Sequence, residues 1–323
     1  MVDFSPEGDD FTVPVWTFGR HPNLFLFDPR PLWRLLGNRH WDLIDLHEEP
    51  FGVAVAEVLV LRALRARRTP FLVCSAQNLD KRYPPPFRWV ERWSLRSAAG
   101  AYTCNAEAGR ILRRKGLVGE LDLLPLGVDT DRFRPTERPP PGPRLRVGFV
   151  GRLIRLKGVD VLLRAVALDD RLDLEVYGGG PDDAALRTLA DGLGLTDRVT
   201  FHGHVDESAL VELFPTLDVL AVPSVTTHGW VEQFGRVVVE GQASGVPVVA
   251  SDSGALPDVV GETGLLVVPG APALLASALA RLLDEPGLWA KLREAGLHNV
   301  DRFSWASVAV QQRSLYERAV AGG

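Results

Sequence analysis

From residue 144 onward, short apolar runs alternate with helical patterns. RLRVGFVG is followed by VDVLLRAVAL, LDLEVYGGG by DDAALRTLADGL, RVTFHGHV by SALVELF and LDVLAVPS by FGRVVVEGQASG; VPVVASD and TGLLVVPG come next, then helical spacing from Ala271 onward. Strands that are apolar at nearly every position and separated by helices predict a parallel sheet covered on both faces. Residues 144–302 therefore read as a complete doubly wound α/β domain. The same alternation precedes it in abbreviated form: WDLIDLHEEP then GVAVAEVLVLRALRARR, TPFLVCSAQN then FRWVERWSL, GAYTCNAE then AGRILRRKG, and finally ELDLLPLGVD. Before the first of these strands the chain has TVPVWTFG and NLFLF, not a strand, glycine loop and helix in succession.

Pro135 to Arg144, PTERPPPGPR, can continue neither a helix nor an inner strand. The expected division is a domain over 1–137, a linker over 138–143, a second domain over 144–302 and a closing segment over 303–323. That segment has helical spacing at Trp305, Val308, Leu315, Tyr316 and Val320. It could cap its own domain or pack onto the first.

Composition fits two ordinary cores: 323 residues, 46% apolar and 24% charged. The net charge of −5 is unevenly spread, because Arg62 to Lys115 holds 13 basic residues against three acidic ones. Phe87, Trp89 and Trp93 are interleaved with them. A solvated basic face is the simpler reading in a chain with 32 arginines and four lysines. An anionic membrane surface is the partner that such a stretch would suit, and no nucleic-acid partner is expected. Cys74 and Cys104 have no metal-ligand spacing and read as small core residues. No apolar stretch reaches membrane-spanning length, and Met1-Val2-Asp3 opens an acidic segment unlike a signal peptide. The expected location is cytoplasmic, peripheral to the inner face of the membrane at most.

Ligands of open parallel sheets sit beyond the carboxyl ends of the strands. There the turn Gly151 to Gly158, GRLIRLKG, leads into a helix near Val159, so Arg152 and Lys157 flank a helix N-terminus that already favours an anion. A diphosphate fits, although an ordinary surface loop would have the same spacing. Gly178-Gly179-Gly180 and Gly203 follow the next two strands and allow backbone to approach a ligand, or simply turn the chain. In EQFGRVVVEGQASGVP, Glu232 and Glu240 bracket Phe234-Gly235 and an otherwise apolar helix. A carboxylate among valines is costly unless hydrogen-bonded, and a ligand could supply the donors. With the helix beginning near Phe234, eight residues correspond to roughly 800° of rotation and aim the two carboxylates at different parts of one pocket. The alternative for Glu240 is an ion pair with Arg236. In the first half His47 ends WDLIDL, while Gln77, Asn78 and Asn105 end the next two strands and could contact an acceptor. No histidine has a third partner at metal spacing, so no metal site is expected.

Taken in order, VGFVGRLIRLKG, VYGGG, VTFHG, Pro223-Ser224, EQFG with Glu240, GVPVVAS, Gly254, Gly264-Leu265-Leu266 and the earlier Gly127-Val128-Asp129 with Phe133 and Pro135 resemble the retaining glycosyltransferases of family 4. The resemblance implies the GT-B fold, two Rossmann-like domains, here with an abbreviated first one. It implies a UDP- or GDP-sugar as donor, a glycan, lipid or small molecule as acceptor, and no cofactor or metal. Arg152 and Lys157 match the residues that hold the diphosphate and stabilise the leaving charge, with Gly151, Gly178 and Gly203 around the donor. Glu232 matches the glutamate on the donor sugar, Phe234 and Gly235 give backbone contacts, Glu240 binds ribose, and His47 lies near the transferred sugar. The family opens with a strand and glycine loop that residues 1–27 do not match, which suggests that Met1 is not the start of the full protein and that apolar neighbours of that strand are exposed. A catalytically impaired relative that only binds nucleotide sugar is the second reading. A sugar-nucleotide epimerase or a phosphorylase remains open by fold analogy, and a nicotinamide-dependent oxidoreductase lacks its GxGxxG.

Overall fold

The structure, a computed structural model, describes residues 13–19, 21 and 24–322; the opening Met1-Val2-Asp3 lies outside them. The chain forms two compact units: residues 1–103, 108–123 and 312–323 make the first, and 104–107 with 124–311 the second.

Among the described residues the first unit begins with a two-stranded antiparallel pair, β1 (Thr17–Phe18) and β2 (Leu26–Phe27), and the helix α1 (Pro29–Asn38). Then strands and helices alternate: β3 (Ile44–Leu46), α2 (Val53–Arg65), β4 (Phe71–Ser75), α3 (Phe87–Ser97), β5 (Gly100–Thr103), α4 (Ala106–Lys115) and β6 (Glu120–Leu123). The four strands β3 to β6 are parallel and lie in sequence order. Phe71, Val73 and Ala101 share one core with Val55 and Leu59 of α2, Leu95 of α3 and Leu112 of α4, which puts those three helices on one sheet face. Alternation along a strand sends Asp45, Tyr102 and Asp122 to the other face. That face receives the end of the last helix, where Gln312 and Tyr316 donate to Asp45, and Arg318 pairs with Glu120 and Asp122. Among the described residues β3 is an edge strand, and a cavity of about 410 Å³ lined by Leu36, Trp41, Ile44, Leu46 and Val55 lies beside it.

In the second unit, β7 (Leu145–Val150), α5 (Val159–Val166), β8 (Leu172–Tyr177), α6 (Asp183–Gly192), β9 (Val199–Gly203), α7 (Glu207–Leu213), β10 (Val219–Val222), α8 (Arg236–Ala243), β11 (Val248–Ser251), α9 (Leu256–Val260) and β12 (Leu265–Val267) are followed by α10 (Pro272–Asp284) and α11 (Leu288–Val300). The last helix, α12 (Trp305–Ala321), starts in this unit and ends in the first. The strands order as β9-β8-β7-β10-β11-β12, all parallel. The apolar strand pattern has its reason in the two cores: β10 sends Val219 and Ala221 to one and Leu220 and Val222 to the other.

Residues 124–137, expected in the first domain, group with the second unit. Val128 donates its N–H to the Phe303 carbonyl at 2.8 Å. Phe133 is buried edge-on against Phe214 at 5.9 Å. Arg138, expected in a free linker, donates to the Pro215 and Leu217 carbonyls and to Asp218. The closing segment is likewise divided, with 303–311 in the second unit and 312–323 in the first.

The order of strands reverses between β7 and β10, and there the backbone passes closest. Gly158 has φ +69°, and a Cβ on it would lie 2.0 Å from the Pro223 carbonyl oxygen. Gly158→Ala should cost about 2–4 kcal/mol through the left-handed conformation and this overlap. Gly179→Ala, where a Cβ meets nothing within 4 Å, should stay within about 0.5 kcal/mol of the parent; urea unfolding of both variants is the check.

Candidate functional site

At the β7–β10 reversal point the turn after β7 ends in a short 3₁₀ segment, Arg155–Lys157, and Gly158 then caps α5 without a side-chain hydrogen bond. The first N–H groups of α5 are therefore directed at the carboxyl edge of the sheet, where ligand crevices form at a reversal of strand order. Gly151 and Gly178 follow β7 and β8 directly, Gly203 ends β9, and the three are laid side by side: Gly178 donates to the Gly203 carbonyl at 2.7 Å, and a Cβ on Gly178 would overlap the Gly151 carbonyl at 1.8 Å. Arg152 is exposed beside them. His202 is tied sideways, stacked on Tyr177 at 4.2 Å and bonded through Nε2 to Glu175 at 2.6 Å.

Lys157 reaches from this turn to Glu232, Nζ to Oε2, at 2.6 Å. The same oxygen accepts from the Ser224 hydroxyl at 2.9 Å, and the lysine ammonium lies 5.5 Å from the Trp230 ring centre. Gly254 packs so closely that a Cβ there would lie 2.1 Å from the Glu232 carbonyl oxygen. Asn105, expected to meet an acceptor, instead donates its amide to the Gln233 carbonyl at 3.0 Å and so braces the loop that carries Glu232. Phe234 is buried against Phe303, ring centres 5.8 Å apart, which leaves only its backbone for a ligand.

The expectation that Glu232 and Glu240 share one helix is corrected. α8 begins at Arg236 with Gly235 as its N-cap, so Glu232 stands on the preceding loop and the rotation argument does not apply to it. The left-handed Gly235 at the cap and the bonds of Glu232 to Lys157 and Ser224 keep this loop out of the helix where the apolar pattern alone suggested one. Glu240, within α8, is 8% exposed, and among the described residues no hydrogen bond or ion pair reaches its carboxylate, the Arg236 pair included. Burial pushes its pKa up from the ordinary carboxylate range; Arg236 draws it partly back, and Glu207 adds to the rise.

In the first unit His47 directly follows β3, and its Nδ1 lies 3.0 Å from the Tyr102 hydroxyl. That hydroxyl donates to Asp45 Oδ1 at 3.0 Å, so its oxygen accepts from His47, which places the imidazole proton on Nδ1 and leaves Nε2 as the other ring nitrogen. Burial and the Asp45 charge raise the Tyr102 pKa, which keeps the phenol a donor. Asp45 also receives Gln312 at 3.3 Å and Tyr316. Glu49 accepts from Ser75 at 2.7 Å and from the Ala76 N–H at 2.9 Å, and burial raises its pKa. Gln77 bonds the Leu79 N–H at 3.2 Å, and Asn78 is buried. Sequence reasoning missed Asp45, Tyr102, Tyr316 and Trp230. The one available signal was an aspartate in the middle of WDLIDL, where a strand face must supply donors for it.

The fold agrees with the matches to known proteins. Residues 131–298 match the profile of the glycosyl transferases group 1, and residues 3–132 that of Glycosyltransferase Family 4. The chain belongs to the group 1 glycosyl transferases. Within the family it is 32% identical over 312 residues to a D-inositol 3-phosphate glycosyltransferase of Streptomyces scabiei (strain 87.22), covering 87% of this chain and 69% of the relative. It is 41% identical over 187 residues to the protein of that name from Corynebacterium glutamicum (strain R), covering 54% of this chain and only 44% of the relative's length. Among solved structures, sucrose-phosphate synthase from Thermosynechococcus elongatus aligns with a TM-score of 0.70 at 28% identity, over 88% of this chain and 75% of that one. HepE of Anabaena, solved in complex with UDP, aligns with a TM-score of 0.75 at 20% identity, over 88% and 81%, a likeness of fold. The α/β architecture with two parallel sheets is that of the family. No group of three or more His, Cys, Asp or Glu among the described residues is arranged to hold a metal, and no helix there is long and apolar enough to cross a membrane.

The folded state holds Glu240 protonated to higher pH than the unfolded chain does, so this group lowers stability as pH rises through the range between its ordinary and its raised pKa. Glu240→Gln should therefore raise the melting temperature at pH 7, with the gain vanishing below pH 4. No gain at pH 7 would mean that the carboxylate has a partner. Tyr102→Phe should cost about 1 kcal/mol in urea unfolding, since Asp45 keeps its other two donors.

Proposed function

We propose that the chain transfers a glycosyl group from a nucleoside diphosphate sugar to an acceptor hydroxyl, with retention of configuration. The observation that carries this reading is the buried Glu240 carboxylate without a protein donor, on the same unit as the Arg152–Lys157 turn and the uncapped start of α5. A ligand that brings an anion to the turn and hydroxyl donors to a carboxylate is a nucleoside diphosphate with its ribose. Glu232, held by Lys157 and Ser224, accepts hydroxyls of the donor sugar.

In the reaction the bond from the anomeric carbon to the diphosphate oxygen breaks, its electron pair staying on the diphosphate. The acceptor oxygen bonds to the same face of that carbon, and its proton passes to the departing diphosphate or to solvent. Arg152, Lys157 and the α5 N–H groups stabilise the charge that develops on the leaving group, the dominant contribution in such transfers. His47 Nε2 is assigned to the transferred sugar. A uridine nucleotide is favoured by the UDP-bound HepE, and a polyol phosphate acceptor by the names of the inositol 3-phosphate relatives.

The test is a panel of UDP- and GDP-sugars, with and without inositol 3-phosphate, assayed for binding by calorimetry and for transfer or hydrolysis, in the presence of EDTA. At least one nucleotide sugar should bind and turn over, and Lys157→Ala should lower kcat by about 10²–10³-fold. Tight binding with no turnover of any pair would overturn transfer in favour of a binding protein.

A further inference from the structure

One surface of the first unit takes no part in the site above. α3 turns Glu91, Ser94 and Leu95 inward, and its solvent side consists of Arg88, Trp89, Arg92, Trp93, Arg96 and Ser97. These positions recur at helical spacing, so they form one stripe of arginines and tryptophans without an acid. Trp89 leaves 63% of its surface in water and Trp93 41%, although residues of this size are usually well buried. The loop before α3 and the end of α4 add Lys81, Arg82, Arg114 and Lys115, which with Trp89 line a groove of about 550 Å³. The two acids of that groove are already engaged, Asp80 by Arg114 at 3.4 Å and Glu91 by Lys115 at 2.7 Å. Arg82, Arg88, Arg92 and Arg96 have no ion-pair partner among the described residues. All this occurs on a chain of net charge −5, so the stripe is not a sample of a generally basic surface.

The neighbouring helices extend the apolar component. α2 packs beside α3 over the same core, Leu59 and Leu95 both contributing, and exposes Val60 and Leu64. α1 lies against α2 and exposes Trp33, with the Arg65 guanidinium 4.7 Å from its ring centre.

We propose that the α3 face seats the first unit on an anionic bilayer surface, with the helix in the plane of the membrane. Arginines spread over about 12 Å of helix suit an array of headgroup phosphates better than one soluble anion, which would call for convergence on a point. Tryptophans between them sit at headgroup level with their apolar bodies inward, the arrangement of interfacial helices. The charge complementarity comes from the arginines and the depth from the indoles.

The whole chain is sedimented with vesicles of phosphatidylcholine alone and of phosphatidylcholine with about one third phosphatidylglycerol. Binding is expected only to the anionic vesicles, falling as salt is raised, with a blue shift of tryptophan emission. Each arginine near such a surface is worth roughly fivefold in partitioning, so Arg88→Glu/Arg92→Glu should lower it by at least 25-fold. Trp89→Ala/Trp93→Ala should weaken it while removing most of the blue shift, with melting temperature and nucleotide-sugar binding unchanged; if the reversal variant misfolds, Arg88→Gln/Arg92→Gln replaces it. Equal binding to both vesicle types, or to neither, overturns the proposal. So does full retention by the tryptophan variant, or displacement from vesicles by millimolar inorganic phosphate or by a DNA oligonucleotide, which would assign the arginines to a soluble anion or a nucleic acid.

Discussion

Lys157 and Glu232, 2.6 Å apart at the carboxyl edge of the second sheet, set the terms for everything around them. Removing both charges from water costs several kcal/mol each, and their attraction offsets this only with good geometry and further hydrogen bonds. Ser224 gives Glu232 such a bond, and Trp230 offers the ammonium an aromatic face. The backbone is bent to suit: Gly158 and Gly254 allow contacts that any side chain would block. Such an arrangement is poor value as a stability device. Under the proposed function it is a preformed pair of opposite charges for a ligand that carries both phosphate and hydroxyl groups.

Much of this was legible in the sequence. Continuous apolar strands separated by helices are satisfied by a parallel sheet covered on both faces, but the alternation does not fix the strand order: the first unit keeps sequence order, while the second reverses between β7 and β10. The placement of Gly151, Gly178 and Gly203 at strand ends, and of Lys157 in the turn between β7 and α5, follows in turn. The start of α8 was not legible. Valines after Phe234 fit a helix from either residue, and the left-handed Gly235 together with the contacts of Glu232 to Lys157 and Ser224 decides that the helix starts at Arg236. The bracing bond of Asn105 was not legible either: a strand-end amide suits a ligand and a backbone carbonyl equally, and the partner, Gln233, lies 128 residues away.

The two carboxylates now differ in kind. Glu232 is satisfied within the protein, and a ligand must compete with Lys157 and Ser224 for it. Glu240 is buried with no such competitor, so its desolvation is already present before anything binds. Under the proposed reading, a ligand hydroxyl at Glu240 relieves a burden that burial already imposes, while one at Glu232 exchanges partners. His47 is likewise satisfied within the protein, since the Tyr102 hydroxyl, itself bonded to Asp45, fixes its ring.

Asp45 depends on Gln312 and Tyr316, residues that follow the entire second unit in the chain. During synthesis β3, β4, β5 and β6 emerge long before the helix that covers one of their faces. The first unit to be made is thus the last to be finished, and its sheet must wait with Asp45, Tyr102 and Asp122 uncovered while nearly two hundred further residues are added. A nascent chain in that interval would present a half-clad parallel sheet, the kind of incompletely covered surface that makes folding intermediates prone to aggregate.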